Sequence, residues 1–165
     1  MNIIIEIGKV EDFTPVIKLD DNQYVVNFEM ELLNPEEEND SDCMYKSFIY
    51  DIRCAKSIIS IIEDYINSET EHLITTAFRW NGYSVNLSKE NQMNYKAAYD
   101  LAMSTRGESL PFTARFNKGQ NAELYTFDTL AELKDFYIKM NKHINDCLLK
   151  GWNRKDAINK ADYKI

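Results

Sequence analysis

The chain has 165 residues, of which 44% are apolar and 12% aromatic, so it can close a hydrophobic core without disulfide or metal cross-links. Its five glycines and three prolines are too few for a disordered or loop-dominated chain. The net charge of −8 and the pI of about 4.8 argue against a protein whose surface neutralises nucleic-acid phosphates.

The negative charge is concentrated in the first third of the sequence. Residues 1–51 contain thirteen acidic and three basic residues, a net charge of −10, whereas residues 52–165 contain fourteen acidic and sixteen basic residues, a net charge of +2. An acidic segment beside a nearly neutral one favours contact with basic protein surfaces. We therefore expect protein partners, either other proteins or a second copy of this chain, and neither direct nucleic-acid binding nor membrane binding.

Targeting and redox features predict a chain that is not secreted by a signal peptide. The N-terminus lacks the positive segment and small-residue cleavage site of a signal peptide, and no apolar run reaches the roughly 18 residues of a membrane span. The three cysteines, Cys43, Cys54 and Cys147, are odd in number and have no metal-ligand spacing. They are expected to be reduced thiols.

The acidic first third is predicted to form antiparallel β structure. Apolar residues alternate with polar ones in Tyr24–Leu32, and Met44–Tyr50 is a second strand candidate. A proline and an acidic run in Asn34–Asp42 predict the hairpin connection between them. The alternation of Ile3, Ile5 and Ile7 predicts a third strand.

Helical periodicity begins after this β part. From Arg53 the apolar residues follow one helical stripe, which ends at a predicted turn in Ser68–Glu71; the stripe is formed by Cys54, Ile58, Ile61, Ile62 and Tyr65. Two short alternating runs follow, and the Asn81-Gly82 pair between them predicts a type I′ hairpin.

Two capped helices and a second hairpin follow in the C-terminal half. Ser88 is predicted to cap a helix that reaches about Ser104, and a second hairpin turns at Lys118–Asn121. Thr129 and Glu132 form a capping-box pattern before a long apolar stripe. Gly151 is predicted to end that helix, and a short terminal helix from Asn153 to Ala161 is expected.

These elements predict an α+β fold with two parts. Residues 1–51 form a small antiparallel β part, which is a sheet or a docking arm. Residues 52–165 form an α-β-β-α-β-β-α domain with a short C-terminal helix. The domain carries three amphipathic helices and two hairpins of its own, so it is predicted to fold without the first third.

Part of the chain resembles a known family. The hairpin that turns at Asn81-Gly82 leads to Leu87 and a helix capped by Ser88, within the stretch Phe78–Glu90. This stretch is similar to the core of a domain of unknown function found in phage tail-fibre and tail-assembly proteins, including those of Bacteroidales phages and prophages. The resemblance covers about residues 52–160. Asn86 departs from the family pattern, which often has Trp there.

No catalytic, cofactor or metal site is predicted. Cys147 and His143 are four residues apart on one helical face, but no third orienting group or oxyanion donor accompanies them. The acidic run lacks the pattern of a calcium loop, and the sequence has no phosphate-binding glycine motif. The chain is therefore expected not to be an enzyme.

The candidate partner-binding residues are the acidic connection and one tryptophan: Glu36, Glu37, Glu38, Asp40, Asp42 and Trp152. Carboxylates so close together disfavour an ordered loop and suit either a solvated tip or a contact with a basic surface. Trp152 follows the glycine at the expected helix end. Trp80 and Tyr83 lie on alternating strand positions, so they are predicted to belong to the core more than to an interface.

Two functions are compatible with these features. The first, implied by the resemblance, is a non-enzymatic structural or assembly protein of a phage or prophage, located in the virion or the host cytoplasm. The second is a small acidic phage-encoded inhibitor or regulator of a host protein, for instance one that presents carboxylates where nucleic-acid phosphates would lie.

Overall fold

The computed structural model describes residues 2–36 and 41–165 and has an α+β fold. The chain divides into two compact units. The terminal unit comprises Met1–Ile66 and Asn153–Ile165, and the central unit comprises Asn67–Trp152. These limits differ from the boundary proposed after residue 51, and the independent folding of residues 52–165 stays a prediction.

The terminal unit contains a four-stranded antiparallel sheet in the order β1-β4-β3-β2. Its strands are β1 (Ile4–Lys9), β2 (Val16–Lys18), β3 (Gln23–Leu32) and β4 (Asp42–Asp51). Helix α1 (Ile58–Thr76) begins in this unit, and its first turns supply apolar side chains to the sheet. The buried residues of this core are Val26, Phe28, Phe48, Tyr50, Ile58, Ile62 and Ile66.

The alternation predicted along β3 is interrupted in its second half. Val26 and Phe28 are buried as expected, but Met30 and Leu32 are exposed. The pairing with β4 shifts register after Phe28, where Glu29 adopts a φ of +52°. An extra residue in one strand changes the face on which later side chains lie, so the apolar face ends at this bulge.

The central unit contains the second antiparallel sheet, in the order β5-β6-β7-β8. Strands β5 (Arg79–Trp80) and β6 (Tyr83–Ser84) are short, whereas β7 (Phe112–Lys118) and β8 (Asn121–Phe127) are long. Helix α2 (Lys89–Ser104) lies between the two hairpins in sequence, and α3 (Leu130–Asp156) follows them. The largest buried rings of this unit are Phe78, Trp80, Tyr95, Phe116, Phe127 and Phe136.

The local signals in the central unit are confirmed. Asn81 and Gly82 have φ values of +48° and +81°, as a type I′ turn requires. The Ser88 hydroxyl accepts the amide of Asn91 at 3.3 Å, so it caps α2 as predicted. Thr129 Oγ1 likewise accepts the amide of Glu132 at 3.3 Å, but the Glu132 carboxylate accepts the Tyr125 hydroxyl, so only the Thr129 half of the predicted capping box forms.

The limits predicted for the first helix were wrong at both ends. Helix α1 begins at Ile58 because Ser57 Oγ accepts the amide of Ser60 at 3.2 Å, and Cys54 lies exposed before it. The helix continues through the predicted turn at Ser68–Glu71, so His72 is an exposed residue of α1. No proline or glycine interrupts this stretch, and its polar residues are divided between faces: Ser68 and Glu71 are exposed, whereas Thr70 is buried.

The predicted end of the last helix at Gly151 was also wrong, since α3 continues to Asp156. Gly151 is buried, and a Cβ atom placed on it would lie 2.5 Å from Thr70 Oγ1. The glycine therefore permits a close approach of α3 to α1 instead of ending a helix. A 3-10 helix at Lys160–Tyr163 replaces the terminal helix expected from Asn153 to Ala161.

Candidate protein-binding surfaces

The acidic connection between β3 and β4 is only partly described by the structure. Glu36 is exposed in a turn, and Glu37, Glu38 and Asp40 lie outside the described residues. Asp42 was placed in the connection, but it is the first residue of β4 and its carboxylate lies 2.5 Å from Lys9 Nζ of β1. Because this ion pair joins two strands, Asp42 belongs to the sheet and not to a free acidic tip.

Trp152 also lies elsewhere in the fold than the sequence suggested. It is within α3, in the central unit, and its side chain is 51% exposed. Exposed tryptophan is common in protein interfaces, so Trp152 stays a candidate contact. Glu36 and Asp42 belong to the terminal unit, so the predicted partner-binding residues are divided between the two units.

Strand β1 exposes apolar side chains on an edge of the first sheet. It pairs with β4 on one side, and Ile4, Ile5 and Ile7 are 53%, 64% and 71% exposed. An edge strand presents unpaired backbone groups to a neighbouring chain, and apolar side chains strengthen that tendency. The isoleucine alternation predicted the strand correctly, but it gave no sign that these side chains are exposed.

A charged cluster of the terminal unit consists of one carboxylate, Glu29, and two cations, Arg154 and Lys46. Arg154 binds Glu29 through two hydrogen bonds, with Nε 2.6 Å from Oε1 and Nη2 2.9 Å from Oε2. Lys46 Nζ lies 2.7 Å from the same Oε2, and the Glu29 side chain is only 13% exposed. The alternation in Tyr24–Leu32 predicts that Glu29 lies on the polar face of its strand. The bulge changes its orientation, and 125 residues separate it from Arg154.

The electrostatics of this cluster follow from its geometry. Burial raises the pKa of the Glu29 carboxyl, but the hydrogen bonds and charges of Arg154 and Lys46 outweigh that effect and lower the pKa below 4.5. The charged form of Glu29 is therefore the form that the folded protein stabilises. No sequence pattern links these three residues, and a basic residue in the last turn of a helix is common for other reasons.

Cys147 and His143 lie together on α3, as their spacing predicted. Cys147 Sγ is 3.7 Å from His143 Nε2, which also lies 3.2 Å from the carbonyl oxygen of Leu73. Burial raises the pKa of the Cys147 thiol. An activated cysteine needs a lowered pKa, so this pair lacks the electrostatics of a nucleophile and its base.

The aromatic residues of the first central hairpin belong to the core. Trp80 is buried, its indole Nε1 donates to Asp135 Oδ2 at 3.2 Å, and its ring packs against Phe127 and Phe136. Tyr83 is half-buried and packs against Tyr125. The prediction that Trp80 is a core residue is confirmed.

A groove of about 750 Å³ lies between β7 and α2 in the central unit. Strand β7 pairs with β8 along its full length, but with β6 only at Asn117. Among the described residues, the other side of β7 from Phe112 to Phe116 therefore has no neighbouring strand, and it borders the groove. The α2 wall combines two asparagines and two alanines with two larger side chains: Asn91, Asn94, Tyr95, Ala97, Ala98 and Leu101. The sequence predicted the two hairpins, but not that the short β6 leaves this edge uncovered.

Two other kinds of site are absent from the described parts of the chain. Within residues 2–36 and 41–165, no group of three or more histidine, cysteine or acidic side chains could hold a metal ion. Among the same residues, no helix combines the length and the apolar character needed to cross a bilayer.

The fold and its surfaces define an α+β protein with two compact units, each built on an antiparallel sheet. Residues 61–165 match the model of a family described as a domain of unknown function (DUF4376), and the chain belongs to that family. This confirms membership of a family of unknown function, as the resemblance implied. No curated protein and no solved structure matches the chain.

Proposed function

We propose that this chain is a non-enzymatic structural or assembly protein of a phage or prophage and that it acts by binding other proteins. The observation that carries the proposal is β1, an edge strand with three exposed isoleucines on an acid-rich unit. Strand edges of this kind bind other chains through backbone hydrogen bonds and side-chain burial. The resemblance to phage tail-fibre and tail-assembly proteins, including those of Bacteroidales phages, supports the virion setting.

The charge of the first third supports a basic partner surface. Residues 1–51 have a net charge of −10, which favours rapid encounter with a positively charged neighbour. Glu36 is exposed next to the connection between β3 and β4, where it can meet such a surface. We propose that the partner is another virion or assembly component, met in the particle or in the host cytoplasm.

The protonation of Cys147, the candidate nucleophile, supports a binding role over a catalytic one. The Cys147 thiol has a raised pKa, so little thiolate is present at neutral pH. Replacing Cys147 or His143 by alanine is therefore expected to leave particle assembly unchanged. Loss of a measurable turnover in either variant, with an intact far-UV circular dichroism spectrum, would contradict the non-enzymatic role.

The virion role is tested by mass spectrometry of purified phage particles from the strain that encodes the chain. We expect its peptides to be enriched in particles, or in assembly intermediates, relative to the host proteins of the same preparation. Particles and intermediates that both lack the chain would overturn the virion and assembly role.

The contact with a basic partner is tested by charge reversal. Changing Glu36, Glu37 and Glu38 to Lys keeps the Asp42–Lys9 ion pair intact and should reduce incorporation into particles at low salt. The control reverses three exposed acids elsewhere, Glu108, Asp128 and Asp156, and alters net charge equally. Equal incorporation of both triple variants would show that the acidic connection is only a solvated tip.

A nucleic-acid mimic that inhibits a host protein is the second candidate, and its support is the same block of negative charge. A mimic must present free carboxylates where phosphates would lie. Several carboxylates of the terminal unit are instead paired with the chain's own cations, including Glu29 with Arg154 and Asp42 with Lys9. For this reason the structural or assembly role ranks first. Absence from particles together with binding to a host nucleic-acid-binding protein would reverse that order.

A further inference from the structure

We propose that the groove between β7 and α2 binds an extended, carboxylate-bearing segment of a partner protein as an additional strand on β7. This inference rests on the proposed function, since it supposes that the chain acts by binding proteins. It assigns the contact to a site in the central unit, separate from the acidic connection and from β1.

The backbone of β7 supplies the first argument. Lys118 and Asn121 pair across the turn at Gly119-Gln120, and a two-residue hairpin makes such a pair hydrogen-bonded. Alternate residues of an antiparallel strand bond to the same neighbour. Phe112, Ala114 and Phe116 therefore bond to β8. The N–H and C=O groups of Thr113 and Arg115 are directed towards the groove, where an added strand would bond to them.

The dimensions of the groove supply the second argument. The uncovered edge extends from Phe112 to Phe116, so it is about 17 Å long at the usual rise of an extended strand. On the opposite wall, Ala97 and Ala98 leave space for the side chains of the guest segment. Asn91 and Asn94 on the same wall offer amide groups to its backbone or polar side chains. A strand between an edge and a helix is an established mode of peptide recognition.

The charge of the groove determines the chemistry of the guest. Arg115 is the charged residue among the groove's lining residues. Within the described residues Arg115 has no ion pair, whereas Lys96 and Asp100, on α2 outside the groove lining, pair with each other. A guanidinium binds a carboxylate through two parallel hydrogen bonds. A segment with an acidic residue opposite Arg115 therefore complements the groove better than a neutral or basic one.

The probe is a displayed library of random peptides, selected against the full chain. We expect the enriched sequences to combine β-branched residues with one acidic residue. A synthetic peptide of an enriched sequence should bind the full chain in isothermal titration calorimetry. N-methylation of alternate backbone amides in that peptide should weaken binding at least about tenfold, because an added strand depends on those hydrogen bonds. Chemical-shift changes should lie along β7 and α2.

Matched variants test the location and the charge. Ala97→Trp places a bulky ring in the groove and should weaken binding at least about tenfold, while Met103→Trp, also exposed on α2 but outside the groove, should not. Arg115→Glu should reverse the preference, so that the peptide with Lys in place of its acidic residue binds better. Lys134→Glu, at an exposed residue of α3, changes the net charge by the same amount and should not reverse the preference.

Each result decides a separate point. A library without enriched peptides, equal binding to Ala97→Trp and wild type, or no reversal with Arg115→Glu would overturn the groove proposal. Self-association that Ala97→Trp abolishes would identify the guest as a second copy and contradict a heterologous partner. If the chain is found in particles but binds no peptide, only the groove proposal is contradicted. If it binds peptide but is absent from particles, only the virion role is contradicted.

Discussion

The terminal and central units each have a core between a sheet and helices, but the two cores are built from different kinds of side chain. The central core is built from rings that contact one another, with Phe136 touching Trp80, Tyr95 and Phe116. The terminal core has fewer rings, Phe28, Phe48 and Tyr50, and combines them with aliphatic side chains. Polar groups lie at its border: the backbone carbonyl of buried Asn27 accepts the Tyr163 hydroxyl at 3.1 Å, and Glu29 binds Arg154. The central unit is thus contiguous in sequence, whereas the terminal unit depends on residues from both chain ends.

Removing whole segments of the chain should have the largest effect and tests this difference between the units. A chain of residues 52–165 retains the complete central unit, so we expect a cooperative urea transition and a near-UV circular dichroism signal from its packed rings. A chain of residues 1–66 lacks Arg154 and Tyr163, and we expect it to give no cooperative transition. A broad, non-cooperative profile for residues 52–165 would show that the first sheet is required for the central core.

Truncating one ring should have the largest effect among single substitutions. Phe136→Ala leaves a cavity among several buried rings and should lower the free energy of unfolding by about 3–5 kcal/mol, measured by urea denaturation. Leu124→Ala, at a residue that is exposed on β8, should alter it by no more than about 0.5 kcal/mol. Similar values for the two variants would mean that the rings do not determine the stability of the central unit.

The charged cluster of the terminal unit should have a smaller, pH-dependent effect. Glu29→Gln leaves Arg154 and Lys46 without their shared carboxylate and should destabilise the chain by about 2–3 kcal/mol at pH 7. The pKa of Glu29 is lowered in the folded state, so its contribution is complete above about pH 4.5 and disappears as the pH falls through the folded pKa.

The measurement for this cluster is the free energy of unfolding of both proteins between pH 7 and pH 2. We expect the difference between wild type and Glu29→Gln to shrink below about pH 4.5. A difference that is constant over this range would contradict an electrostatic origin. Lys46→Met at neutral pH is a milder companion variant, since Arg154 would still bind Glu29 through two hydrogen bonds.

The smallest expected effect concerns the close helix approach in the central unit. Gly151→Ala gains helix propensity, but its Cβ atom meets the Thr70 hydroxyl, so we expect a net loss of about 1–2 kcal/mol. Combining it with Thr70→Ala removes the obstructing hydroxyl. A double-mutant cycle should then show a favourable coupling. Independent, additive effects would mean that the helices separate without cost.

The contrast between the units also explains which features the sequence predicted. The Asn81-Gly82 turn, the Ser88 cap and the Thr129 cap depend on residues within four positions of each other, and all were predicted correctly. The Gly151 error arose because the same residue type serves helix ends and close approaches. Only the position of Thr70 in space distinguishes the two roles.

The candidate surfaces were less accessible to sequence reasoning. The acidic residues predicted the connection near Glu36 correctly. Whether Asp42 pairs with Lys9, however, depends on the register between β1 and β4, which the sequence does not reveal. The groove beside β7 results from a missing neighbour, because β6 ends after two residues. Hydrophobic periodicity reports which residues are buried, and it carries no information about which strand edges stay uncovered.

The exposed edge strand has a consequence for the behaviour of the chain at high concentration. The segment Ile3–Gly8 contains four isoleucines and a single charged residue, Glu6. Short uncharged segments with high β propensity stack into fibres when they lie on an open edge. Glu6 therefore acts as a gatekeeper, because each added copy would bring another carboxylate close to the previous one. Neutralising this one side chain would remove that repulsion and turn the exposed edge into a template for aggregation.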